Sequence, residues 1–201
     1  MVSGESPDSS TTAPSFLPRD ILVPGTDNLD FARVYEQVAR FMEVRNYRYA
    51  VIGGWGLSAY GFYRATLDLD FAAESRAQAS TVDYLESLGY ETLYRSSGYS
   101  NHLHPEHDLG RIDFVYVGGD TSQKLFTAIR HKEGPAGPMP VPRPEHLIAL
   151  KVLAMKNAPE RVQQELADIR LLYSLDGINQ DEVLGYFEKH GLKKRFHEIE
   201  E

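Results

Sequence analysis

Tyr-Ala-Val-Ile-Gly-Gly-Trp-Gly-Leu-Ser-Ala-Tyr-Gly-Phe-Tyr-Arg-Ala-Thr-Leu-Asp-Leu-Asp-Phe, residues 49 to 71, is the stretch that decides the fold. The apolar run Tyr49 to Ile52 predicts a short buried strand and Gly53-Gly54 a break. A helical turn over about 55 to 60 and a second strand to about Ala73 follow. Paired glycines open backbone conformations closed to other residues and let a bulky anion approach the main chain. Backbone amides and the N-terminus of the following helix then supply donors and a positive dipole end, so a phosphate cradle is expected at Gly53 and Gly54.

Asp68 and Asp70 alternate with Leu67, Leu69 and Phe71, which puts both carboxylates on one strand face and the apolar side chains in a core. Carboxylates about 7 Å apart along a strand can lean together over a hard cation such as Mg²⁺, which prefers oxygen ligands. A metal pair about 3.5–4 Å apart serves phosphoryl chemistry by holding the attacking and leaving oxygens. A solvated face of a half-open sheet would also carry acidic residues. Aspartate is a poor strand former, however, and here two of them follow a Gly-Gly turn.

Gly53-Gly54 followed by Arg64, Thr66, Asp68 and Asp70, in the order G-G-(x)9-R-x-T-x-D-x-D, resembles the signature of the minimal, polymerase-beta-like nucleotidyltransferase superfamily. Within it the pattern is most similar to AbiEii-type toxin nucleotidyltransferases and to aminoglycoside and lincosamide nucleotidyltransferases. The resemblance covers about residues 30 to 175. It implies a third carboxylate on a neighbouring strand, and Asp113, inside the alternating run Arg111 to Val117, is the candidate. It also implies that Arg64 orients the carboxylates or touches phosphate, with Thr66 beside it. A lysine on a C-terminal helix would contact the triphosphate and an aspartate on the next helix would complete the site; Lys151 and Asp168 stand at those places. From the residues alone, Lys151 is conspicuous because Leu147, Ile148, Ala154 and Met155 surround it at helical spacing. A lysine in an apolar stripe either snorkels to solvent or reaches a partner.

The chain has 201 residues, enough for one core plus a helical appendage. With 42% hydrophobic and 25% charged residues it has the composition of a folded protein rather than a disordered one. No cysteine is present, so thiolate metal sites, disulfides and thiol nucleophiles are excluded. A net charge of −8 argues against broad electrostatic capture of nucleic acid. No apolar run approaches the roughly 18 residues of a membrane span, and no secretory pattern opens the chain, so a cytoplasmic protein is expected.

Residues 1–24 are expected to be a disordered tail, in which Ile21-Leu22-Val23 could anchor, followed by a core over 25–120 and a C-terminal helical segment over 121–201. The expected class is α+β: a mixed sheet of about five strands with helices on one face. A helix capped by Asn28 runs to Arg45. A second, capped by Ser75, stops at Gly89. Strands follow at 90–95 and 99–103, then Arg111 to Val117. Gly118-Gly119 and the proline-rich 134–144 bracket a short helix over 122–129. The tail holds helices from Pro144 to Asn157, from 159 to 174 and from 181 to 190.

Other candidates have weaker patterns. His102, His104 and His107 surround a hairpin end and suit a structural or substrate-contacting role better than a hard-metal site. Tyr60, Phe62, Tyr63, Tyr94 and Tyr99 could stack a base or ring, although aromatics near strands usually belong to cores. Lys189 with Lys193-Lys194-Arg195 reads as a solvated helix end. Taken together, the expectation is a Mg²⁺-dependent (or Mn²⁺-dependent) transfer of a nucleoside monophosphate from a triphosphate to an acceptor hydroxyl. The acceptor would be an RNA end, a protein in a toxin–antitoxin pair, or a small antibiotic. The alternatives are a non-catalytic, antitoxin-like nucleotide binder and a D-x-D glycosyltransferase, the latter disfavoured by the short sequence before Asp68.

Overall fold

The computed structural model describes residues 30 to 200. The expected N-terminal tail, the 21–23 anchor and the Asn28 cap lie outside them.

Helix α1 (Phe31–Val44) starts at Asp30, whose side chain accepts from the Arg33 N–H at 3.1 Å. An N-cap carboxylate of this kind satisfies one of the unpaired amides of the first turn. Phe31, Val34, Tyr35, Val38 and Met42 recur at intervals of three and four and are buried. The chain leaves the helix through Asn46, at φ 53°, a left-handed position that asparagine tolerates.

Five strands form a mixed sheet in the order β1 (Tyr49–Val51), β2 (Asp68–Glu74), β5 (Arg111–Val117), β4 (Tyr99–Leu103), β3 (Glu91–Ser96). The central pair β2–β5 is parallel and all other neighbours are antiparallel. On one face Leu69 and Phe71 of β2 lie beside Ile112 and Phe114 of β5. All four are inaccessible to solvent, and the Phe71 and Phe114 rings stack at 5.0 Å. This face packs on α1 and on α3 (Gln78–Ser87), giving the expected α+β layer. Each fully buried ring contributes about 1.5–3 kcal/mol, enough to hold the strands in a register that crowds charges on the other face.

That other face is covered only in part. Ala72 of β2 and Val117 of β5 join a second core with α5 (Pro144–Asn157), α6 (Val162–Tyr173), α7 (Gln180–Lys189) and α8 (Lys193–Glu200). The same face at the beginning of β2 and β5 carries Asp68, Asp70 and Asp113 in place of apolar residues.

Several local expectations are corrected. Helix α2 spans Gly53–Ser58, so it begins on the glycines rather than after them. Ser75 makes no side-chain cap; a 3-10 turn over Ser75–Ala77 leads into α3. Helix α4 runs Gly119–Thr127, starting three residues and ending two residues earlier than expected. The residues before α6 form a separate 3-10 turn, Pro159–Arg161. The basic cluster near the C-terminus lies at helix ends as expected, Lys189 closing α7 and the exposed Lys193 and Lys194 opening α8, a helix that buries Phe196 and Ile199. A hairpin of β6 (Arg130–Gly134) and β7 (Gly137–Val141) begins before the proline-rich stretch and takes its second strand from it. Prolines 138 and 140 alternate along β7, which has one ladder partner. Only every second residue must then donate, so the missing N–H groups can face the unladdered edge. Met139 between them and Val141 after them are fully buried. Among the described residues no helix is long and apolar enough to cross a membrane.

Candidate active site

The register of β2 against β5 sets Asp70 opposite Asp113, with Asp68 opposite Arg111. One carboxylate oxygen from each of Asp68, Asp70 and Asp113 lies within 4.8 Å of the others. Among the described residues this is the group of acidic and imidazole side chains suited to hold a metal ion. Burial, and then the charges of Asp68 and Asp113, push the Asp70 carboxyl up to about 7, while Lys151 acts in the opposite direction. Like-charged carboxylates crowded in this way favour uptake of a proton or a cation.

Each carboxylate has its own support. Gly53, at φ +60°, faces Asp70 so closely that a Cβ there would lie 1.8 Å from Oδ2. A Cβ on Gly54 would meet Thr66 Cβ at 3.0 Å. Thr66 in turn donates its hydroxyl to Asp68 Oδ1 at 2.6 Å. The glycine pair therefore has a use beyond the expected anion cradle: it clears space for the carboxylate and for the threonine that fixes its neighbour. Asp113 accepts from Arg111 through both oxygens, at 2.7 and 3.0 Å, and from the Tyr99 hydroxyl at 2.6 Å. Its hydrogen bonds raise the Arg111 guanidinium still further, and burial together with Asp113 pushes the Tyr99 hydroxyl up to about 12.

Lys151 does not snorkel. It is 7% exposed and donates to Glu165 Oε2 at 3.0 Å and Asp168 Oδ2 at 2.5 Å. Asp168 also meets Arg64 Nε at 3.4 Å, and Glu165 meets Arg161 at 2.9 Å. This chain of charges ties the loop before β2 to α5 and α6. Arg64 thus faces Asp168, and Thr66 faces Asp68. Glu165, Arg111 and Tyr99 were not singled out for these roles from sequence. Two of them carried a usable signal: Glu165 is one helical turn from Asp168, and Arg111 shares a strand face with Asp113.

The histidines lie apart from the carboxylates. His102 is buried on the opposite sheet face between the Thr92 and Ser100 hydroxyls, at 3.0 and 2.8 Å, and burial lowers its pKa. His104 Nδ1 accepts from the Glu106 N–H at 3.0 Å, which leaves Nε2 as the donor to the Leu88 carbonyl. His107 is exposed in a 3-10 turn. Lys193 pairs with Glu188 and Arg195 with Glu198.

No known family matches the chain by sequence, and no curated protein does. Solved structures do. The solution structure of the antibiotic-resistance factor ANT(2'')-Ia superposes with a TM-score of 0.60 at 13% identity, over 85% of this chain and 95% of that one. The lincomycin-bound lincosamide antibiotic adenylyltransferase LnuA superposes with a TM-score of 0.52 at 16% identity, over 74% of this chain and 99% of that one. The fold is that of the minimal nucleotidyltransferases.

Proposed function

We propose that the chain transfers a nucleoside monophosphate from a nucleoside triphosphate to an acceptor hydroxyl. The observation that supports this best is the meeting of Asp68, Asp70 and Asp113 at the uncovered end of the sheet, with the Asp70 carboxyl raised to about 7. Three hard oxygen donors that repel one another fit Mg²⁺ or Mn²⁺. Asp68, Asp70 and Asp113 would hold the metal, which when bound neutralises phosphate charge and activates the acceptor oxygen.

The chain's own residues do the rest. Gly53 and Gly54 present their backbone to the phosphates, and Arg64 supplies positive charge for the triphosphate, oriented by Asp168, which Lys151 anchors in turn together with Glu165. The acceptor oxygen forms a bond to the α-phosphorus, the bond from that phosphorus to the bridging oxygen breaks, and pyrophosphate leaves with the electron pair. Asp113, fixed by Arg111 and Tyr99, takes the hydroxyl proton or ligates the metal. Catalysis of this kind is positioning and charge neutralisation.

The test is transfer of α-labelled triphosphates, with Mg²⁺ or Mn²⁺, to lincomycin, tobramycin, tRNA and lysate protein, comparing wild type with Asp70→Asn. ANT(2'')-Ia has been solved with adenylyl-2''-tobramycin and LnuA with lincomycin, which recommends those two probes. Label moved only by wild type supports the reading. Triphosphate binding without transfer to any pool favours a non-catalytic, antitoxin-like binder.

A further inference from the structure

The sheet face that carries the carboxylates continues past Asp113 across β4 and β3. Asp70, Asp113, Asn101 and Tyr94 occupy one row, each paired with the next. With strands about 4.8 Å apart, Asn101 is about 5 Å and Tyr94 about 10 Å from Asp113. The facing direction is fixed by chemistry on both sides. Tyr99, two residues before Asn101, reaches Asp113 with its hydroxyl, whereas Ser100 and His102 bond to each other in the opposite core. The Tyr94 and Tyr99 rings are 6.2 Å apart. A bulge between Thr92 and Tyr94 turns both Leu93 and Tyr94 outward, at 49% and 57% exposed, and Leu103 is 43% exposed. Bulges re-aim side chains in this way beside active sites.

We propose that this face is the acceptor subsite, and that it takes a small amphipathic hydroxyl compound bearing an N–H or O–H donor. This rests on the nucleotidyl-transfer reading and adds the acceptor's chemistry to it. Tyr94, Tyr99 and Leu103 offer ring and aliphatic surface within reach of a molecule whose hydroxyl lies at Asp113. Asn101 Oδ1, between them, is buried without a donor, an arrangement that is unfavourable until one arrives. Tyr94, the cross-strand neighbour of Asn101, is 57% exposed, and an exposed ring changes rotamer readily. A nucleic-acid strand is disfavoured, because backbone phosphates need cations. The arginine on this face, Arg111, is committed to Asp113, while Glu91 at the edge adds negative charge.

The experiment has two readouts, both with the full chain. Calorimetry without nucleotide, using lincomycin, tobramycin and tRNA, reads the face itself. The transfer assay then gives separate KM values for triphosphate and acceptor. We expect lincomycin to bind more tightly than tobramycin, and tRNA not to bind. Tyr94→Ala and Asn101→Leu should each weaken lincomycin binding and raise its KM about tenfold, leaving the triphosphate KM within twofold. Val44→Ala, on an exposed residue of α1, is the control. The subsite is overturned if tRNA is the molecule bound or labelled, if neither small molecule binds, or if both variants leave the acceptor values unchanged. Lincomycin binding that is lost in Tyr94→Ala, with no transfer from any triphosphate, would instead overturn nucleotidyl transfer and leave the face standing.

Discussion

Gly53 has no Cβ because Asp70 Oδ2 stands 1.8 Å from where that atom would be. Its φ of +60° adds a second reason, since a side chain in the left-handed region costs about 1–2 kcal/mol. Gly53→Ala is therefore expected to lower the melting temperature by several degrees and to push Asp70 out of line. A displacement on the order of 1 Å can cost about a hundredfold in rate. Thermal melting and label transfer measured side by side check both parts. Transfer at the wild-type rate would show that the carboxylate geometry is not what Gly53 protects.

Asp70 makes apo stability depend on pH. Its folded pKa, about 7, lies above its ordinary value of 3.8, so the folded protein holds a proton that the unfolded chain releases. The protein is free of this penalty below about pH 4. The penalty grows as pH rises through the interval between the two values and is complete above about 7. Apo Asp70→Asn should melt several degrees higher than wild type at pH 8, with the gap narrowing at pH 5. Mg²⁺ should raise the wild-type melting temperature at pH 8, and much less at pH 5 where a proton competes for the site. A pH-independent gap would contradict the assignment.

His102 acts in the opposite sense. Burial holds its pKa below the ordinary 6.5, so its contribution is present above 6.5 and is lost as pH falls through the folded value. In Asp70→Asn, with the opposing effect removed, His102, together with His146 and His190, whose pKa values burial also lowers, should make stability rise with pH up to about 6.5 and then level off. Chemical denaturation from pH 4.5 to 8 measures this.

Removing Lys151 leaves Glu165 and Asp168 buried, with only Arg161 and Arg64 near them. Breaking a buried pair typically costs about 3–5 kcal/mol. Lys151→Met should fall toward the lower end, about 3 kcal/mol, because the two arginines remain. Lys151→Met combined with Glu165→Leu should recover part of that loss, since it removes one of the two buried carboxylates that lost the lysine and leaves only Asp168 to be matched by Arg64. Urea titration separates the two variants. An equal loss in both would mean that the carboxylates are not the source of the cost.

Tyr99→Phe deletes one donor to Asp113 and leaves the Arg111 bonds in place. A stability change of about 1 kcal/mol is expected, with a rate loss of about tenfold and triphosphate affinity unchanged. Calorimetric binding beside steady-state kinetics checks this, and a matched fall in affinity would move Tyr99 to the nucleotide.

The local chemistry of the site could be read from the chain itself. Gly53-Gly54, the alternation of Asp68 and Asp70 with leucines, and Asp113 inside an apolar run each follow from short-range rules of turn geometry and strand period. Helix α5 was legible to both ends, because Pro144 fixes its start and the periodic stripe fixes its length. Other features depend on residues far apart in sequence. Register alone sets Asp70 against Asp113, and Tyr99 reaches Asp113 only once β4 and β5 have paired. Lys151 carried a visible conflict, a charge in an apolar stripe. Its resolution came from Glu165 and Asp168 on another helix, because a pattern shows that a buried charge needs a partner without showing which one packing delivers. The β6–β7 hairpin was hidden for the same reason. Its prolines oppose strand structure locally, and what outweighs them is the burial of Met139 and Val141 in a core assembled by α1 and the sheet.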